Sequence, residues 1–157
     1  MSRRGFTLIE MVVVVVIIAV IATIAIPRLG EMSRGAACSS VLASMRELHA
    51  AVELYRAEHG DWPPDGNTGA PPDGFEDYAP IGLFDGGGPP VGGLWDFENE
   101  SSGFVGVGIH FRAPNQKRAG ADEILLDVDR VADDGDTTKG GWRFVESDRY
   151  YIVFEEP

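Results

Sequence analysis

The chain is poor in cysteine and in positive charge. Of its 157 residues one is cysteine, Cys38. No intramolecular disulfide can form, and a zinc site built on cysteines is excluded. Lys and Arg number 13 against 25 Asp and Glu, a formal net charge of −12. Phosphate backbones demand a basic face, so nucleic acid is not an expected partner. Histidines are few: His49, His59 and His110 form no triad and no metal-ligand spacing. No glycine-rich loop leads into Lys-Ser or Lys-Thr, and the run Gly86-Gly87-Gly88 is flanked by Asp85 and Pro89-Pro90. The chain is therefore not expected to be an enzyme or to require a cofactor. Twenty Gly and ten Pro show no triplet period, which excludes collagen and predicts many turns.

What is present is unevenly spread. The mean hydropathy is close to zero, as for an ordinary soluble domain, but it averages two unlike segments. Within Phe6 to Ile26, 21 residues, only Thr7, Glu10 and Thr23 are polar. At about 1.5 Å per residue such a helix spans roughly 30 Å, the thickness of a bilayer hydrocarbon core. Arg3 and Arg4 precede it and the acidic bulk follows. The positive-inside rule then places the N-terminus in the cytoplasm. Residues 61–157 hold seven basic and twenty acidic side chains.

Several N-terminal signals share this outline. A cleaved secretory signal fits the Arg-Arg start, but the run is long and no small-x-small site closes it. A twin-arginine signal matches Ser2-Arg3-Arg4-Gly5-Phe6 but has a longer leader and a less apolar core. A lipoprotein signal needs a cysteine at the end of the run, and Cys38 lies twelve residues beyond Ile26. None of these explains Glu10, a carboxylate that is costly in lipid unless paired.

The stretch Arg3-Arg4-Gly5-Phe6-Thr7-Leu8-Ile9-Glu10-Met11, continued by Val12 to Ile26 and Pro27, resembles the N-terminal signal of type IV pilins and type II secretion pseudopilins. The resemblance implies cleavage between Gly5 and Phe6 by a membrane prepilin peptidase, followed by N-methylation of Phe6. It implies that Glu10 pairs with the N-terminal amine of a neighbouring subunit and so sets the register of a helical filament. Other implied partners are similar pilin-like subunits, an inner-membrane assembly platform, and the lipid bilayer before assembly. The implied location is the inner membrane, single-pass, then a periplasmic or extracellular filament. Residues 1–5 would be the leader and 6–27 the transmembrane and filament-core helix. A rival of another class stays open: a membrane-anchored binding module that never polymerises.

Beyond Pro27 the spacing of Cys38, Val41, Met45, Leu48, Val52 and Tyr55 predicts an amphipathic half-helix over 28–59, stopped by Gly60 and Pro63-Pro64. Pro27, Gly30 and Gly35 predict a bend, or a segment that melts on assembly. Cys38 falls on the apolar stripe and reads as a small buried hydrophobe. Many type IV pilins carry a disulfide near the C-terminus; this chain cannot, which shifts the resemblance toward pseudopilins.

Residues 60–157 read as an acidic head. The part 60–103 is rich in Gly, Pro and Asp but anchored by Trp62, Phe75, Tyr78, Leu83, Phe84, Leu94, Trp95 and Phe97, so an ordered, irregular connection is expected. Alternation over Phe104–Arg112, Glu123–Asp129, Gly141–Glu146 and Arg149–Glu155 predicts four strands paired in sequence order within 104–157. The expected fold class is α+β: a long N-terminal helix packed on a small antiparallel sheet.

One cluster invites a metal. Asp127, Asp129, Asp133, Asp134 and Asp136 place five carboxylates within ten residues. Calcium takes six to eight oxygens in flexible geometry and suits such a loop. This is no EF-hand, because Ala132 and Thr138 occupy the positions of its Gly and Glu. A solvated acidic turn is the other reading. Major pseudopilins hold calcium in a loop of the head, so the resemblance implies Ca2+ here.

Overall fold

The computed structural model describes residues 6–80, 82–85, 88–99 and 103–155. Two compact units divide the chain, Met1–Ala36 and Ala37–Pro157. Helix α1 spans Leu8–His59, 52 residues, and its helical assignment is unbroken at Pro27, Gly30 and Gly35.

From Leu8 to Ile26 α1 is apolar on every side but for Glu10 and Thr23, and its Leu, Ile, Val and Met side chains are exposed from Leu8 to Met32. A helix apolar all round has no polar face to show water, so its partner is lipid or other apolar chains. The side chain of Thr23 is satisfied within the helix, its hydroxyl donating to the Ala19 carbonyl at 2.6 Å. That removes an unpaired donor from the apolar span.

In the second unit the stripe on α1 is buried as its spacing predicts. Val41, Met45, Leu48 and Val52 have no exposed surface, and each contributes roughly 2 kcal/mol of burial. Cys38 and Tyr55 pack at the margin of the same core. The helix ends where expected: Gly60 adopts φ +79° and its N–H donates to the Arg56 carbonyl at 2.8 Å. A left-handed residue closing the last turn favours glycine.

The stripe packs on a four-stranded antiparallel sheet: β1 Leu94–Asn99, β2 Val105–His110, β3 Trp142–Glu146 and β4 Arg149–Glu155. Trp95, Phe97, Val107, Ile109, Trp142, Tyr150 and Ile152 form its core face. Three of the expected strands are present, with their alternating apolar residues inward. Three expectations need correction. Glu123–Asp129 is not a strand but lies inside helix α2, Ala121–Ala132. Its buried residues Ala121, Leu125, Val128 and Asp129 follow the helical period, and Asp122-Glu123 suit its positive N-terminal end. The stretch 60–103 is not irregular throughout, because it contains β1. The strand order is β1-β2-β4-β3, so two hairpins join through β2 and β4 rather than pairing in sequence order.

Both sheet edges carry a backbone bond from a loop. Gly69 N–H donates to the Trp95 carbonyl of β1 at 2.8 Å, and Phe144 N–H of β3 donates to the Thr137 carbonyl at 2.7 Å.

Candidate functional site

Three places concentrate chemistry. The first is the start of α1. Gly5, like Arg3 and Arg4, lies outside the described residues. Phe6 is 74% exposed. Thr7 precedes the first helical residue, and its N–H and hydroxyl both donate to Glu10 Oε2 at 2.7 Å. Glu10 N–H returns a longer bond to Thr7 Oγ1 at 3.4 Å. This is a capping box, in which Thr and Glu three residues apart satisfy each other's free backbone donors. The pattern Thr7-Leu8-Ile9-Glu10 was readable, yet sequence reasoning singled out Glu10 for its charge and missed its partner. Each polar side chain of the apolar run is thus bonded inside its own helix.

The second place is the loop after α2. The structure brings Asp129, Asp133 and Asp134 together, with one carboxylate oxygen from each within 4.8 Å of the others. Asp129 is fully buried. Its Oδ1 accepts the Tyr150 hydroxyl at 3.3 Å, while Oδ2 has no hydrogen-bond partner among the described residues. Burial pushes its carboxyl above the ordinary range, the Tyr150 bond opposes that, and the charges of Asp134 and Asp133 add to it. Burial, then the Asp129 charge, raises the Tyr150 hydroxyl in turn. Asp133 Oδ2 accepts Trp142 N–H at 2.9 Å, and Asp134 Oδ1 accepts Asp136 N–H at 2.8 Å. The other two candidates fall outside this group. Asp127 bonds Arg130 at 3.3 Å on the helix surface. Asp136 accepts Lys139 Nζ at 2.8 Å and the Thr138 hydroxyl at 2.6 Å, which hold its carboxyl down at about 2. Because Glu123–Asp129 is helical rather than a strand, Asp127 and Asp129, two residues apart, do not share a face: Asp129 turns in and Asp127 turns out.

The third place was not anticipated. On the outer sheet face, Asp96 of β1 is 2% exposed and Glu98 is 7% exposed. Tyr151 donates its hydroxyl to Asp96 Oδ2 at 2.6 Å, and His110 Nδ1 lies 3.1 Å from the same oxygen. Arg149 donates to Glu98 Oε1 at 2.9 Å. Burial, then the Asp96 charge, pushes the Tyr151 hydroxyl up. Asp96, Gly108 and Tyr151 are register neighbours across three strands, so the tyrosine reaches its carboxylate over the glycine. These contacts tie β1 to β2 and β4. An Asp-x-Glu pair between aromatics, Trp95-Asp96-Phe97-Glu98, was the available signal.

Comparison with known proteins adds one match. Residues 1–26 match the family model described as the prokaryotic N-terminal methylation motif. No curated protein and no solved structure matches the chain. The matched segment covers the capping box, Glu10 and the exposed apolar helix. The long helix on a small antiparallel sheet is a pilin-like α+β architecture. The N-terminus of this chain carries the prepilin-type signal of type IV pilin-like proteins, a structural and non-enzymatic kind.

Proposed function

We propose that the chain is a structural subunit of a type II secretion pseudopilus or type IV pilus-like filament. It would be made as an inner-membrane precursor with its N-terminus cytoplasmic, cut between Gly5 and Phe6, methylated at Phe6, and drawn from the bilayer into the filament. The observation that carries this reading is the methylation motif at the head of a helix whose apolar side chains are exposed all round. A soluble domain could not leave that surface in water. Glu10, bonded within its own helix in the single subunit, would pair with the methylated amine of a neighbour on assembly, so that two charges costly in lipid neutralise each other.

Cleavage is the first test. Glycine before the cut lets extended backbone enter a protease cleft without side-chain obstruction. Gly5→Ala should still mature, whereas Gly5→Glu should accumulate as the uncut precursor in membranes of a host with prepilin peptidase. Mass spectrometry of the mature wild type should find Phe6 first and one methyl heavier. An intact N-terminus in the wild type would overturn the reading. A mature chain that stays monomeric would favour the anchored binding module instead.

Calcium belongs to the same reading. A cation among Asp129, Asp133 and Asp134 would supply the partner that Asp129 Oδ2 lacks. The sign of the pH effect follows from Asp129. Its carboxyl is raised on folding, so the calcium-free protein is stabilised at acid pH and loses that stability as pH rises through the folded value. Calcium would remove the loss. At 10 mM calcium and pH 7 the wild type should gain about 2 kcal/mol, roughly 10 °C in melting temperature. Asp129→Asn should melt no lower than calcium-free wild type and should not respond. No calcium shift in the wild type, or an equal shift in both, would remove calcium from the proposal.

A further inference from the structure

We propose that the cleft between the end of β2 and the β3–β4 turn seats an acidic segment from a second copy of this chain, an inference that rests on the filament reading above. The cleft encloses about 380 Å3 and is lined by Phe111, Arg112, Ala113, Lys117, Ser147 and Asp148. Phe111 is buried and forms an apolar wall. Lys117 Nζ is held at the rim by Asp122 and lies 5.4 Å from the Phe111 ring centre and 4.8 Å from that of Phe144.

Arg112 distinguishes this cleft. Residues 61–157 contain seven basic side chains. Six are engaged within the molecule: Lys117 with Asp122, Arg130 with Asp127, Lys139 with Asp136, Arg149 with Glu98, and Arg118 and Arg143 with the carbonyls of Pro90 and Gly140. Arg112 is exposed and has no hydrogen bond, ion pair or ring partner among the described residues.

The lining selects a peptide rather than a free anion. Asp148 would repel phosphate or a polyanion. An extended segment can offer backbone N–H groups to Asp148 and a side-chain carboxylate to Arg112. Charge also names the source of that segment. Twenty acidic groups against seven basic ones make neighbouring heads repel within the Debye length, about 8 Å at physiological salt. A contact between copies must set acid against base, and Arg112 is the head's base with no partner among the described residues.

The test uses the full-length chain in membranes of an assembling host, with a photoreactive amino acid at Ala113. Illumination should give a covalent dimer of this chain, the adduct mapping to an acidic segment. Arg112→Glu in the same chain should cut the dimer yield at least about tenfold, and Arg112→Lys should retain most of it. A second photoreactive probe at Val16 reports packing of the apolar helices. Multimers through Val16 with no dimer through Ala113, or a dimer indifferent to Arg112→Glu, overturn the cleft assignment and leave the filament standing. An adduct to another protein or to lipid overturns it as well. No multimers through either probe overturn the filament reading and this inference with it.

Discussion

Replacing Gly108 with alanine should lower the melting temperature of the protein by more than about 10 °C. Gly108 sits in the middle of β2 between Asp96 of β1 and Tyr151 of β4. A Cβ at this position would lie 2.1 Å from the Tyr150 carbonyl oxygen and 2.6 Å from the Tyr151 Cα. Both obstacles are backbone, so no side-chain rotation relieves them. The strands would have to part at the β2–β4 seam, which joins the two hairpins. Overpacking of a core costs about 1–3 kcal/mol, and a backbone clash belongs at the top of that range. For a head of this size 3 kcal/mol corresponds to a shift of more than about 10 °C. Parting the seam would also pull Tyr151 from Asp96 and leave a buried carboxylate short of a donor. Gly74→Ala is the control for a glycine lost without a clash: its φ is positive, +81°, and nothing lies within 4 Å of its Cβ position. It should cost about 1 kcal/mol. Thermal unfolding followed by near-ultraviolet circular dichroism of the full chain in detergent would compare the two. An equal, small loss in both would refute the close-approach argument.

Glu10→Ala should leave the precursor cleavable and reduce filament yield by more than about tenfold. Two separate losses are combined in that variant. The capping box goes, at about 1 kcal/mol of helix-start stability, and so does the charge that would meet a neighbour's amine. Glu10→Gln separates them, because glutamine can close a capping box but carries no charge. An unpaired ammonium in an apolar surrounding costs several kcal/mol, so the glutamine variant should fail to assemble almost as badly as alanine. Filaments sheared from cells and quantified by immunoblot, beside the cleaved subunit remaining in the membrane, give both readouts. Normal assembly of Glu10→Gln with failure of Glu10→Ala would assign the residue to capping and deny it the register role. Normal assembly of both would remove Glu10 from the assembly mechanism.

The parts of the fold legible in the sequence are those with a single unambiguous period. The apolar run and the stripe from Val41 to Val52 have one helical reading each, and β2 and β4 alternate cleanly. Helix α2 was hidden by a degeneracy. Ile124, Leu126 and Val128 alternate like a strand, while Ala121, Leu125, Val128 and Ala132 lie on one helical face. The acids of its first turn and Arg130 in its last turn would have decided between them. Strand β1 was hidden for the opposite reason. Asp96 and Glu98 are charged, and Tyr151 and Arg149, more than fifty positions away, help to make their burial tolerable. The membership of the aspartate cluster depended on α2: once that segment is helical, Asp129 turns inward and Asp127 turns away.

The loop bonds on the two outer strands bear on what crowding does to such heads. An unpaired strand edge is a template for another chain's backbone, and the hazard grows with local concentration. In a filament, heads are pressed together at concentrations no free protein reaches. Here Gly69 occupies a carbonyl of β1 and Thr137 an amide of β3. Neighbours would therefore meet through side chains rather than by extending one another's sheets. Association through side chains can be undone, whereas backbone pairing between copies runs toward amyloid. A subunit built in this way could be withdrawn and used again.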